Sequence, residues 1–113
     1  MDKKTDKEMN KKRLMQIERR IERIKEMLIK VGPMRPGSLT QQYKKPKEKK
    51  GSYWQISYTR NMRSKSDYVR ADFVPQVKKE IAAYKKFKNL IDEWVDLGIE
   101  ASKIKMTLDP KKQ

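Results

Sequence analysis

The N-terminal quarter of the chain places apolar side chains at regular intervals on a highly charged background. Their spacings alternate between three and four residues, which is the a/d seam of a heptad repeat. Thr5 and Glu8 fit a capping box, and Gly32 followed by Pro33 is a typical helix stop. The pattern predicts a coiled-coil-like helix over residues 5–31. Its seam consists of Leu14, Ile17, Ile21, Ile24, Leu28 and Val31.

This seam needs an apolar partner, because a long and charged helix is not stable alone. The partner is either the second helix of the same chain or the seam of a second chain. Isoleucine and leucine mix at both a and d positions, so the residue types do not fix an oligomeric state. We predict a homodimer through the seam.

Helical spacing returns near the C-terminus and predicts a second long helix over residues 72–97. Asp72 is its candidate N-cap, and Gly98 is the candidate left-handed residue just beyond its end. The remaining chain predicts a short helix over residues 100–106 and a frayed tail over residues 107–113.

Between the helices, the pattern changes to strict alternation. Trp54, Ile56 and Tyr58 alternate with polar residues, which predicts a strand with these three side chains on its core face. Tyr53 then lies on the opposite face. A turn near residue 61 completes a β-hairpin over residues 53–70.

The segment ahead of the hairpin, residues 32–52, is predicted to be a basic loop. Ser38 and Gln41 fit a second capping box, so we expect a short helix to about Tyr43. The whole chain, residues 1–113, is then a single α+β domain. Two long helices pack in coiled-coil fashion, and a basic β-hairpin is inserted between them.

The composition excludes several kinds of chemistry. The 113 residues include 30 basic and 15 acidic side chains, giving a net charge of +15, and neither cysteine nor histidine. Disulfides, thiolate zinc sites and histidine bases are therefore excluded. Asp92, Glu93 and Asp96 crowd one helix end, and we expect them to face basic groups rather than a magnesium ion. We expect no cofactor, no metal and no enzymatic activity.

The distribution of apolar residues also bears on location. No apolar run approaches the roughly 18 residues that a membrane span requires. The N-terminus is charged and does not match a signal peptide. We therefore expect a cytoplasmic protein without a membrane partner.

Positive charge and aromatic residues concentrate in the middle of the chain. Residues 32–70 hold ten basic and only two acidic side chains, together with five aromatic ones. Lysine and arginine neutralise phosphates, and aromatic rings stack on bases. We expect nucleic acid as the partner: a β-ribbon favours a duplex, and exposed aromatics favour a single strand. The candidate binding residues are Arg35, Lys44, Lys45, Lys47, Lys49, Lys50, Tyr53, Arg60, Arg63, Lys65 and Arg70.

A different function also fits this charge. A coiled-coil adaptor or inhibitor would dock its basic surface on an acidic site of another protein. Co-purification of nucleic acid or of a protein separates the two possibilities.

Several segments resemble a family of small prokaryotic proteins of unknown function. They are Gly37–Tyr43, Tyr53–Tyr58, Tyr68–Val69 and Tyr84–Phe87. The resemblance spans about residues 33–97 and implies a mobile-element context, since members are often encoded beside transposases. Members often carry a Cys- and His-rich loop, and this chain has lysines in its place.

Overall fold

The computed structural model describes residues 3–109 and the side chains of residues 5–109. It confirms an α+β fold with a three-stranded antiparallel sheet between two helices in the chain. The elements are α1 (Lys3–Ile29), β1 (Ser38–Lys45), β2 (Lys50–Arg60), β3 (Arg63–Val69), a 3-10 turn (Ala71–Phe73) and α2 (Val74–Leu108).

The chain divides into two compact units. The helical unit combines α1 with the part of α2 from residue 88 onward, and the sheet unit comprises residues 31–87. α2 therefore contributes its first half to one hydrophobic core and its second half to the other.

The core of the helical unit forms where the α1 seam meets α2. Ile17 is 1% exposed and packs with Ala101 and Ile104. Leu14 and Ile21 flank it, as do Leu97 and Leu108 from α2. The seam of α1 therefore has an apolar partner within the same chain.

Two ion pairs border this core. Arg13 donates to Glu100 at 2.7 and 2.8 Å, and Arg20 donates to Glu93 at 2.5 and 2.8 Å. The arginines are seven residues apart on α1, and the glutamates are seven apart on α2 in the reverse order. The two helices of this unit are therefore antiparallel.

The core of the sheet unit lies between one face of the sheet and the start of α2. Ile56 is fully buried and clusters with Val69, Val74 and Val77. Trp54 packs against this cluster, which confirms its predicted place on the core face.

Two tight turns connect the strands. Asn61 and Met62 join β2 to β3 with φ of 53° and 62°, the left-handed pair that a two-residue hairpin requires. The predicted hairpin is thereby confirmed. A four-residue turn, residues 46–49, joins β1 to β2.

The predicted short helix after Ser38 is wrong, because this segment is the edge strand β1. Leu39 lies opposite Ile56 and packs on the sheet core, and its polar neighbours alternate outward. The sequence that follows Ser38 is compatible with a helix that starts at a capping box and with an amphipathic strand. Hydrogen bonding to β2 stabilises the strand. The predicted basic loop is therefore the end of a second hairpin.

The predicted end of the second helix near Leu97 is also wrong. α2 continues through Gly98 to Leu108, so the separate short helix and the start of the frayed tail are part of α2. A glycine inside a helix costs about 1 kcal/mol, and the packing of Ala101 and Ile104 on α1 offsets this cost. Residues 110–113 of the predicted tail lie outside the described residues.

The other helix boundaries differ from the predicted ones by a few residues. α1 begins at Lys3 and ends at Ile29, rather than spanning residues 5–31. α2 begins at Val74, after a 3-10 turn that contains Asp72.

Candidate nucleic-acid interface

The sheet has one face that does not belong to the core, and we call it the outer face. Side chains alternate between the two faces of a strand, so the cross-strand pairs assign each residue to a face. Among the described strand residues, no carboxylate lies on the outer face; Asp67 lies on the core side, opposite Ile56. The outer face consists of Ser38, Thr40, Gln42, Lys44, Tyr53, Gln55, Ser57, Thr59, Ser64, Ser66 and Tyr68.

Hydrogen bonds between small polar groups cover part of this face. The hydroxyl groups of Ser57 and Ser66 are 3.2 Å apart across β2 and β3. On β1, the Gln42 amide donates to the Thr40 hydroxyl at 3.0 Å. These contacts order the surface and leave it polar and exposed along most of its length, with Lys44 as its one charged residue among the described strand residues.

Tyr53 and Tyr68 are the two aromatic residues of the outer face. Tyr68 lies opposite Gln55, so Tyr53 occupies the diagonal position on the neighbouring strand. Diagonal neighbours on one face are about 7–8 Å apart at Cα, within reach of aromatic side chains. Tyr68 is 70% exposed, and both rings line one shallow groove together with Lys44.

Five lysines surround the turn between β1 and β2, and we call them the lysine turn. Lys45 and Lys50 lie directly opposite each other across the two strands. Like charges in such a pair destabilise a sheet, so an anion bound here would relieve their repulsion. The lysine turn consists of Lys44, Lys45, Lys47, Lys49 and Lys50, all of which are exposed.

The turn between β2 and β3 has a similar arrangement, which we call the arginine turn. Arg60 and Arg63 are a directly opposed pair at the hairpin end, and Lys65 lies opposite Tyr58. All three cations are exposed. A second like-charge pair is thus present at the other end of β2.

The two basic turns lie apart. The sequence suggested a basic loop beside a hairpin, whereas the structure places the turns at opposite ends of the eleven-residue strand β2. At about 3.3 Å per residue, this separation is roughly 33 Å. The outer face, with Tyr53 and Tyr68, extends along the strand between them. The opposed pairs Lys45–Lys50 and Arg60–Arg63, and Lys65, are in phase with Ile56 and so belong to the core side, where they are exposed at the two ends of the sheet.

Two predicted phosphate ligands have partners within the chain. Arg35 is half-buried, lies over the Tyr58 ring at 5.0 Å and is 3.7 Å from Asp67. Arg70 donates to Asp72 at 2.5 Å and is exposed. Arg35 therefore contributes to packing beneath the sheet, and the phosphate-binding role of both arginines stays a prediction.

The hydrogen bond between Tyr58 and Asp67 raises the pKa of the Tyr58 phenol above its usual value. Burial acts in the same direction, and Arg35 opposes it. Tyr58 is therefore a neutral hydrogen-bonding group of the core side near neutral pH.

Sequence reasoning missed the pairing of Tyr68 with the outer face. The sequence shows that Tyr68 is aromatic, but its position beside Tyr53 depends on the β2–β3 register. The alternation Ser64, Ser66, Tyr68 was the available signal. It predicts that Tyr68 shares a face with the serines and not with Val69.

One of the acidic residues near the middle of α2 has a partner on α1. Glu93 binds Arg20, and within residues 3–109 no group of three or more potential metal ligands occurs. In the same part of the chain, no helix is long and apolar enough to cross a membrane.

A family model for a domain of unknown function, DUF6788, matches residues 11–79. The chain belongs to the DUF6788 family. The match includes most of α1, the whole sheet and the first residues of α2. It confirms membership in a family of unknown function, although it begins and ends earlier than the predicted span of residues 33–97. No curated protein and no solved structure matches the chain.

Proposed function

We propose that this DUF6788 protein is a non-enzymatic nucleic-acid-binding protein that uses one face of its sheet and the two basic turns. We also propose that the protein acts in the cytoplasm as an accessory protein of a mobile genetic element. The observation that carries the binding proposal is the exposed like-charge pair at each end of β2, on the core side of the strands and beyond the core cluster, with the carboxylate-free outer face on the other side of the same strand.

The two pairs favour a polyanion over separate small anions. Lys45 with Lys50 and Arg60 with Arg63 are each held in opposition by the strand register. Repulsion within each pair falls when phosphates bind, and one continuous backbone supplies phosphates to both turns. A nucleic acid lying along β2 fits this arrangement.

The two turns differ in what their side chains can recognise. Lysine ammonium groups are flexible point charges that hold phosphates without base preference. Arginine guanidinium groups can form two parallel hydrogen bonds to a phosphate or a guanine. We therefore assign general affinity to the lysine turn and any sequence preference to Arg60 and Arg63.

The test measures binding to labelled DNA and RNA by fluorescence anisotropy at several salt concentrations. For a duplex, log affinity should fall with log salt with a slope of about −0.9 per phosphate contact, and we expect roughly four to eight contacts. Replacing the lysine turn with alanine should weaken binding to all sequences and flatten the slope. The lysine-turn variant changes Lys44, Lys45, Lys47, Lys49 and Lys50.

A matched control removes the same charge from the helical unit. It replaces five exposed lysines that belong to α1 and to the second half of α2: Lys7, Lys11, Lys12, Lys103 and Lys105. This control should keep a salt slope close to that of the parent. Equal loss in both variants would mean that only net charge matters and would contradict the proposed site.

The adaptor function is the other outcome of the same experiment. If the parent binds no DNA or RNA at low salt, nucleic-acid binding is wrong. Co-purification of an acidic protein would then favour docking of the basic turns on that protein.

A further inference from the structure

We infer that the outer face binds single-stranded nucleic acid, with unpaired bases stacked on Tyr53 and Tyr68. This inference rests on the proposed function and specifies the ligand class. It is carried by the diagonal placement of the two rings, their shared groove with Lys44, and the polar groups around them.

The tyrosines provide a surface for stacking. Tyr68 is a large aromatic residue near the end of the edge strand β3, and it exposes 70% of its area. Tyr53 is half-buried beside it, which restrains its ring. An exposed ring next to a restrained ring can accept two neighbouring bases, and such stacking tolerates any base because every base has a π face.

Lys44 supplies the charge within the same groove. It is on the outer face opposite Gly51, and both residues line the groove with the tyrosines. A Cβ at Gly51 would be 3.1 Å from the Lys44 Cβ, and the φ of Gly51 is +67°. Glycine therefore leaves room for the lysine stem beside the rings, where its ammonium group can bind a backbone phosphate.

The surrounding amides match the edges of unpaired bases. Gln55 is half-buried directly opposite Tyr68, and Thr40 lies opposite Gln55 on β1. A glutamine amide both donates and accepts hydrogen bonds, as do the Watson–Crick edges of bases. A carboxylate would repel the adjacent phosphates, and none lies among the described outer-face residues.

A duplex does not fit this part of the surface. In a duplex, the faces of the bases are covered by neighbouring base pairs, so Tyr53 and Tyr68 could reach only backbone or groove edges. Stacking on a protein ring requires a base that has left the stack. The tyrosine pair therefore favours a single strand over a duplex.

The experiment compares a 16-nucleotide single strand with the duplex of the same sequence, in DNA and RNA forms, by fluorescence anisotropy. Tyr68→Ala and Tyr53→Ala should each weaken single-strand binding roughly fivefold to a hundredfold, the range expected for loss of one stacked base. Duplex binding should change less than twofold. Tyr68→Phe keeps the ring and should bind like the parent.

Met106→Ala is the matched control. Met106 is 68% exposed on α2 within the helical unit, and its exposure is close to that of Tyr68. This variant should bind a single strand like the parent. Melting curves accompany every variant; since Tyr68 is exposed, Tyr68→Ala should melt within about two degrees of the parent.

Two results overturn the inference while the proposed function stands. One is a parent that binds duplex as tightly as single strand. The other is undiminished single-strand binding by the folded Tyr68→Ala variant. A parent that binds neither single strands nor duplexes at low salt overturns the proposed function as well.

Discussion

Arg20 of α1 and Glu93 of α2 form a bidentate salt bridge. The arginine donates from Nε to Oε2 at 2.5 Å and from Nη2 to Oε1 at 2.8 Å. Arg13 and Glu100 repeat this geometry two turns further along the helices. The hydrogen bonds from arginine hold the pKa of each glutamate below its usual value. The pairs therefore connect the stability of the helical unit to pH.

This connection predicts a specific acid sensitivity. A carboxylate with a lowered folded-state pKa contributes its full stabilisation at pH values above its ordinary pKa of about 4.5. That stabilisation decreases as the pH falls from this value through the lower pKa of the folded state. The double variant Glu93→Gln/Glu100→Gln should melt lower than the parent at pH 7 and approach it at pH 3. Melting curves across this range provide the measurement.

The control for this experiment is Asp92→Asn/Asp96→Asn on the same helix. It also removes two negative charges, but its exposed carboxylates are not the partners of Arg13 and Arg20. Its difference from the parent should vary less between pH 7 and pH 3. A control that behaves like the glutamate variant would show that total charge, not the two pairs, governs the acid response.

The α1 seam gives a prediction about packing. Ile17 is 1% exposed between α1 and α2, so Ile17→Ala should lower the free energy of unfolding by about 2–4 kcal/mol. Met15→Ala, at a position 52% exposed on the same helix, should change it by less than about 0.5 kcal/mol. Urea denaturation measures both. Equal effects would mean that the seam is not the core of the helical unit.

The homodimer through the seam of α1 stays a prediction, and it would require a rearrangement of the helical unit. Ile17 and Ile24 are already buried within one chain. A dimer through these side chains would require α1 and α2 to separate or to exchange between chains. Sedimentation at micromolar concentration should give twice the chain mass of 13.6 kDa. A mass of one chain would contradict the dimer.

The sequence predicted those parts of the fold that depend on local periodicity. The heptad spacing of α1 and the alternation around Ile56 were sufficient for one helix and one hairpin. β1 was missed because only Leu39 and Tyr43 mark its core side, and its pairing with β2 is not encoded locally. The length of α2 was missed because Gly98 is a common helix stop, and only contacts with α1 extend the helix beyond it.

The candidate site depended more strongly on register. The sequence alone was sufficient to identify the lysines and arginines as phosphate ligands and Tyr53 as a stacking residue. The separation of the basic residues into two turns at opposite ends of β2 was not predictable, since it follows from strand pairing. The contacts of Arg35 with Tyr58 and Asp67 join residues far apart in sequence, so its half-buried position was not predictable from its neighbours.

Gly37 provides a test of the sheet core. A Cβ at this position would be 2.6 Å from Ile56 Cγ1, and its φ of +141° suits glycine. Gly37→Ala should therefore destabilise the protein by about 1–3 kcal/mol through overpacking and backbone strain. Gly32→Ala is the control, since nothing lies within 4 Å of its Cβ position. A Gly37→Ala variant as stable as the control would contradict the close packing of Gly37 on Ile56.

Trp54 separates stability from binding on the same strand as Tyr53. Its ring packs against the core cluster of Ile56 on one side of the sheet, with the Lys78 ammonium group 5.7 Å from its centroid. Trp54→Ala removes this half-buried contact and should lower the free energy of unfolding by about 2–4 kcal/mol. Because the ring lies on the core side, the fraction that remains folded should bind a single strand with the affinity of the parent. Melting curves and anisotropy at 10 °C measure the two effects. A variant that melts like the parent but loses binding would reverse the assignment of the two faces and place Trp54, instead of Tyr53, at the nucleic acid.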